Sequence, residues 1–176
     1  MKKLLSFVLS VLLVLSLAGC GGGEKEKTYE PTAESLTELA TDCVSNSSIP
    51  ATAKITDGNC VVSCGCEGMP YLNEVDIVRK HISAYIKFCL KAYEMDDVSS
   101  VTWTADSEMT DTKGNKSVYK VIELRMGKDT FHTYDWEGME YKKGMFAQFE
   151  SDCEICNIHP GIIGNVDTEN DIFYAP

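Results

Sequence analysis

A single stretch of this chain sets the frame for the rest. Val75, Val78, Ile82, Tyr85, Ile86, Cys89 and Tyr93 recur at intervals of three and four, a spacing that stacks them on one side of an α-helix. Asn73 is placed to cap the start, and Glu74 and Asp76 fall at the positive end of the helix dipole. The spacing predicts a helix over Glu74–Glu94. A helix this long with one apolar face has to lie across a broad apolar surface, and the flanking sequence offers a sheet.

On the N-terminal side, Ala51–Thr56 and Cys60–Ser63 flank Asp57-Gly58-Asn59. Asp-Gly between short β-prone runs is a hairpin signal. Upstream, Leu36, Leu39, Ala40, Cys43 and Val44 keep helical spacing behind a Thr32 cap, predicting a first helix over Ala33–Ser45. On the C-terminal side the period falls to two: Val101, Trp103 and Ala105 alternate with Thr102 and Thr104. Val118, Ile122, Leu124 and Met126 share one face of a second run, with Lys120 the exception, and Lys113-Gly114-Asn115-Lys116 reads as an exposed turn between the two. Gly127-Lys128-Asp129 leads to a third run, Thr130–Trp136, and Gly138 precedes a fourth, Tyr141–Phe149. These runs read as an antiparallel meander. The fold class is therefore α+β: a long amphipathic helix packed on a β-meander, with an N-terminal helix and a short hairpin. Trp103, Trp136, Tyr134 and Phe131 are expected in the core or on the sheet. The tail from Ile158 to Pro176 is expected to be irregular and held by its cysteines or by an edge pairing.

Ahead of this domain lies a segment of another kind. Lys2 and Lys3 are followed by an apolar stretch from Leu4 to Leu17 and by Ala18-Gly19-Cys20. A basic start, an apolar middle too short to span a bilayer, and small residues at the end make a secretory signal peptide. Leu17-Ala18-Gly19-Cys20 resembles the lipobox of bacterial lipoproteins. That resemblance implies cleavage before Cys20, diacylglyceryl transfer to the Cys20 sulfur, and a location on the extracytoplasmic face of the cell membrane, anchored through that lipid. It divides the chain into a signal peptide (1–19), a lipidated flexible tether (20–31) and a single cysteine-rich domain (32–176). The tether assignment also rests on composition, because Gly21–Gly23 and Glu24–Pro31 carry almost no apolar content. Removing residues 1–19 leaves 157 residues with a net charge of −13, against −11 for the whole chain. Acidity of this size disfavours nucleic-acid binding, which needs clustered Lys and Arg. It also keeps a domain displayed away from an anionic surface.

Seven cysteines follow Cys20: Cys43, Cys60, Cys64, Cys66, Cys89, Cys153 and Cys156. In an oxidising compartment disulfides are the default, and an odd number leaves one thiol over. Cys60, Cys64 and Cys66 form one cluster, and Cys153 and Cys156 another. Two readings stand for them. The clusters are joined by a disulfide ladder, or a Cys-x₂-Cys turn and Cys64-Gly65-Cys66 share a structural zinc, although such sites favour two to four intervening residues. A redox role for Cys153 and Cys156 is disfavoured. Pro160, Gly161 and Gly164 oppose the following helix that would lower a thiol pKa, and Asp152 and Glu154 raise it. Cys43 and Cys89 fall on apolar helix stripes as small buried hydrophobes and are a second disulfide candidate.

Catalytic motifs are missing from the sequence. The three histidines, His81, His132 and His159, form no His-x-x-x-His pair. His81 is expected on the solvated side of the long helix and His132 in a strand, while His159, three residues after Cys156, is a minor alternative as a metal ligand. Asn165, Asp167, Glu169 and Asp171 begin like a calcium loop, but Asn170 and Pro176 stand where such a loop needs Gly and Glu. Asp106, Glu108 and Asp111 read as a polar loop. No catalytic residue is assigned, and an enzymatic role has no motif behind it. The functional expectation is a small, non-enzymatic binding or interaction module, stapled by disulfides and contacting a protein or envelope component. No cofactor is required. The alternative is a zinc-binding or thiol-redox lipoprotein that uses the two cysteine clusters.

Overall fold

The computed structural model describes residues 27–44, 49–66, 74–110, 113–139 and 145–159. The lipobox residues Leu17, Ala18, Gly19 and Cys20, the Asn73 cap and the acidic tail from Asn165 lie outside them. The described elements are α1 (Ala33–Cys43), β1 (Ala51–Thr56), β2 (Asn59–Gly65), α2 (Glu74–Ala92), β3 (Ser100–Thr110), β4 (Lys116–Arg125), α3 (Lys128–Phe131), α4 (Trp136–Met139), α5 (Met145–Asp152) and β5 (Ile155–Ile158). The class is a mixture of helices with one five-stranded sheet in the order β1-β2-β3-β4-β5.

Local signals predict much of this. The Thr32 side chain accepts from the Ser35 backbone N–H, as its cap position requires. Asp57 and Gly58 both take positive φ, 49° and 77°, the conformation of the two-residue hairpin turn that matches strand twist. A β-carbon on Gly58 would lie 2.7 Å from Ser99 Oγ, so glycine is required there for space as well as for backbone. The turn at Gly114 also has positive φ, 86°.

The meander is only part of the sheet. β1/β2, β3/β4 and β4/β5 pair antiparallel, but β2 and β3 run parallel, with Val62 opposite Trp103 and Cys64 opposite Ala105. A parallel pair needs a crossover, and α2 supplies it. The third expected strand is instead the end of α3, a turn and the start of α4, and the described part of the fourth is helix. Phe131, Trp136 and Met139 are buried at spacings of five and three, which suit compact turns rather than a pleat. The Trp136 indole donates to the Phe131 carbonyl at 2.9 Å, and Asp135 Oδ1 accepts from the Gly138 N–H at 3.0 Å. α5 replaces the end of the fourth run and buries Phe149. Asp106 and Glu108 belong to β3 rather than to a loop.

The helices cover one face of the sheet. Cys60, Val62 and Cys64 from β2, Val101, Trp103 and Ala105 from β3, and Ile122 and Leu124 from β4 point into that layer, all at 5% exposure or less. Tyr85 of α2 packs edge-on against Trp103, Trp136 and Phe149. Its hydroxyl accepts from the Met126 N–H at 2.9 Å and donates to the Val101 carbonyl at 3.3 Å. A buried tyrosine thus keeps its polar tip satisfied while tying α2 to two strands. β5 pairs along the edge of β4, with Cys156 opposite Leu124; the tail beyond His159 lies outside the described residues.

Candidate functional site

The cysteines of β2 fall at even separations, which puts Cys60, Cys64 and Cys66 on the same side of an extended chain. All three are buried. Cys66 follows β2 and continues its ladder, its N–H donating to the Asp106 carbonyl at 2.8 Å. This places its sulfur 3.6 Å from His81 Nε2.

His81 is completely buried, which corrects its expected place on the solvated side of α2. The signal was in the spacing: positions 78, 81, 82 and 85 are i, i+3, i+4 and i+7 of the apolar stripe. Its other ring nitrogen, Nδ1, accepts from Trp103 Nε1–H at 3.2 Å. Indole N–H is a donor only, so Nδ1 carries the lone pair and the proton sits on Nε2, directed at the Cys66 sulfur. Burial, with Lys80 adding a smaller push, lowers the imidazole pKa to about 4. The ring is therefore neutral at physiological pH and locked in one tautomer.

That tautomer decides the chemistry. A histidine that activates a thiol must take its proton on the nitrogen facing the sulfur, and here that nitrogen is already protonated. A histidine that binds a metal also needs a lone pair there, with its other nitrogen donating to a neighbour. Trp103 enforces the reverse. His81 is a hydrogen-bond donor to Cys66, and the trio Cys66–His81–Trp103 ties the end of β2 to α2 and β3.

None of the described thiols is primed. Burial raises Cys43, Cys60 and Cys64 to about 12, and burial with the Asp106 charge raises Cys66 to about 11. Cys89, fully buried, stands well above its ordinary value. Burial raises Cys153 further, with the Cys156 and Asp152 charges adding to it, and burial with the Glu150 charge takes Cys156 to about 12. Cys153 also sits at the C-terminal end of α5, its N–H donating to the Phe149 carbonyl at 2.9 Å. The dipole there opposes a thiolate.

No disulfide joins any of the seven described cysteines. The two clusters do not come together as a foursome. Three inter-strand spacings, about 14 Å, separate Cys156 on β5 from β2. A disulfide spans about 7 Å between Cα atoms at most. Cys89 holds the central place instead, near enough to Cys153, Cys60 and Cys43 that a charge on any of them raises its pKa. Among the described residues, no three His, Cys, Asp or Glu side chains converge as a metal site.

The other histidines have local roles. His132 follows α3 rather than lying in a strand, with Nδ1 2.7 Å from the Tyr93 carbonyl. The His159 ring stands edge-on to Tyr119, and its backbone N–H donates to the Val121 carbonyl at 2.9 Å.

A separate concavity lies elsewhere in the fold. A groove of about 1130 Å³ runs between α1, the C-terminal half of α2 and the chain that enters α1. That entering chain is fastened. Lys27 Nζ pairs with Glu38 at 2.7 Å and Asp42 at 2.6 Å, and the Tyr29 hydroxyl donates to the same Asp42 carboxylate at 2.6 Å. The two donors hold the Asp42 carboxyl below its ordinary pKa. This tie at Lys27 lies inside the segment that composition reads as tether.

Comparison with known proteins returned no match: no family model, no curated protein and no solved structure aligns with the chain.

Proposed function

We propose that this protein is a lipid-anchored lipoprotein of the extracytoplasmic membrane face, acting as a small non-enzymatic binding or interaction module. The address rests on Leu17-Ala18-Gly19-Cys20 at the end of a basic and apolar leader. The non-enzymatic reading is carried by one observation: the only buried Cys–His contact described has its imidazole proton already on the sulfur side, held there by Trp103. A thiol that has a donor and no base beside it serves packing and strand fixation. In an oxidising compartment the cysteines of the covered face would staple the domain, a reading supported by the nearness of Cys89 to Cys43, Cys60 and Cys153.

The test is the intact mass of the protein purified from membranes, with thiols counted by alkylation and zinc assayed on the same sample. The expected result is a chain starting at a diacylglyceryl-modified Cys20, one free thiol and no stoichiometric metal. An unmodified chain that retains residues 1–19 would overturn the address. Four or more thiols that alkylate only after chelation would replace the interaction module with a zinc protein.

A further inference from the structure

The fastening of Lys27 sets how this domain can face a membrane. Resting on the lipid-anchor reading, we infer that the groove between α1 and the C-terminal half of α2 is the bilayer-facing side of the domain and that it seats phospholipid headgroups.

The first support is chain length. Six residues, Gly21–Glu26, separate Cys20 from Lys27. Seven Cα-to-Cα steps reach about 25 Å at full extension. A folded domain of this size has a radius of about 19 Å, and its half-circumference is about 60 Å. Whatever path the six residues take, the point of contact with the bilayer lies in the hemisphere around Lys27. The opposite pole cannot reach the surface. Had the chain been free as far as Pro31, five more residues would have relaxed this limit. Lys27 and Tyr29 remove that slack through Asp42.

The second support is charge. The mature chain carries −13, and most orientations would press acidic surface against anionic lipid. In the groove Lys27, Lys87 and Lys91 offset Asp42, Glu94 and Glu137. The lining carries as many lysines as carboxylates within an acidic protein, so an anionic surface repels it less than it repels the protein's average surface. Its apolar floor includes Leu90, Tyr93 and Met95. Lysine stems and tyrosine rings beside such a floor suit the boundary between headgroups and water.

The experiment uses the full lipidated protein, added to vesicles of phosphatidylethanolamine and phosphatidylglycerol and recovered by flotation. Lysine acylation is followed by mass spectrometry, with the same protein in non-ionic detergent as reference. Lys87 and Lys91 are expected to label about fivefold more slowly on vesicles, the factor that corresponds to the attraction of one lysine to an anionic surface. Lys54 and Lys120, on or beside the open face of the sheet, are expected to keep their detergent rates. Equal rates at all four positions, or slowing at Lys54 and Lys120 instead, would overturn the inference. Protein that does not float at all would refute the lipid anchor itself, a separate result.

Discussion

Acidification should unfold this protein through His81 in a way that one variant can isolate. The unfolded chain binds a proton at this ring near pH 6.5, whereas the folded chain does so only near pH 4. Between these values the unfolded state holds more protons, so stability rises with pH across the window and is lost as pH falls through it. Each decade of proton affinity is worth about 1.4 kcal/mol, so the full loss from pH 7 to pH 4 is about 3 kcal/mol. For a chain of this size that corresponds to a fall of about 6–12 °C in melting temperature. Carboxylates titrate at the acid end of the same window, so the informative quantity is a difference. His81→Asn keeps a carbonyl oxygen to accept the Trp103 indole N–H but has no proton to gain. Urea unfolding at half-unit steps from pH 4 to pH 7 should show the wild type losing about 3 kcal/mol more than the variant, with the two curves diverging below pH 6.5. Parallel curves would mean that His81 is solvated or already paired with an acid, and would refute the buried, neutral imidazole.

Three further outcomes follow from the geometry. The ¹⁵N shifts of the His81 ring should report a proton on Nε2 at pH 7, and Trp103→Phe, which orphans Nδ1, should cost at least about 1–3 kcal/mol in urea unfolding; a ring protonated on Nδ1 would contradict the tautomer. Gly58→Ala forces a side chain onto φ 77° and against Ser99 Oγ, and should lower stability by about 1–3 kcal/mol, whereas an unchanged denaturation midpoint would mean that the hairpin turn relaxes freely. Asp42→Asn weakens both fastenings of the entering chain, so trypsin should cut after Lys27 several times faster while the core resists; equal cleavage rates would show that Asp42 does not hold the strap.

The elements that sequence reading recovers are those whose signals are local. α1, the β1–β2 hairpin, α2 and the paired runs of β3 and β4 each carry a cap, a turn or a period of their own. The parallel register of β2 with β3 has no such mark, because it depends on where a long crossover returns. Phe131, Trp136 and Phe149 mislead because they suit strands by propensity, while their spacing and the Asp135 turn commit them to short helices. At the candidate site, the burial of Cys43 and Cys89 was legible from their stripes. The tautomer of His81 was not, since it is set by Trp103, which is contributed by a different element. The strap was missed for a related reason: Glu24–Pro31 has the composition of a linker, and what fixes Lys27 and Tyr29 is a carboxylate on α1.

The parallel pairing of β2 and β3 also bears on the order of assembly. A chain that crosses a membrane from its N-terminus delivers Cys43, Cys60, Cys64 and Cys66 before β3 has emerged. The strand that carries Cys60 and Cys64 has β1 on one side only and cannot complete its other edge until α2 and β3 follow. Contacts between segments so far apart along the chain form late, whereas neighbouring thiols meet early. Oxidation during export would therefore favour close-range pairs such as Cys60 with Cys64 or Cys66, which the alternating geometry of the finished strand does not accommodate. On the exported-lipoprotein proposal, the domain would depend on reshuffling those early bonds, so its yield should respond more strongly to disulfide isomerase activity than to the rate of oxidation.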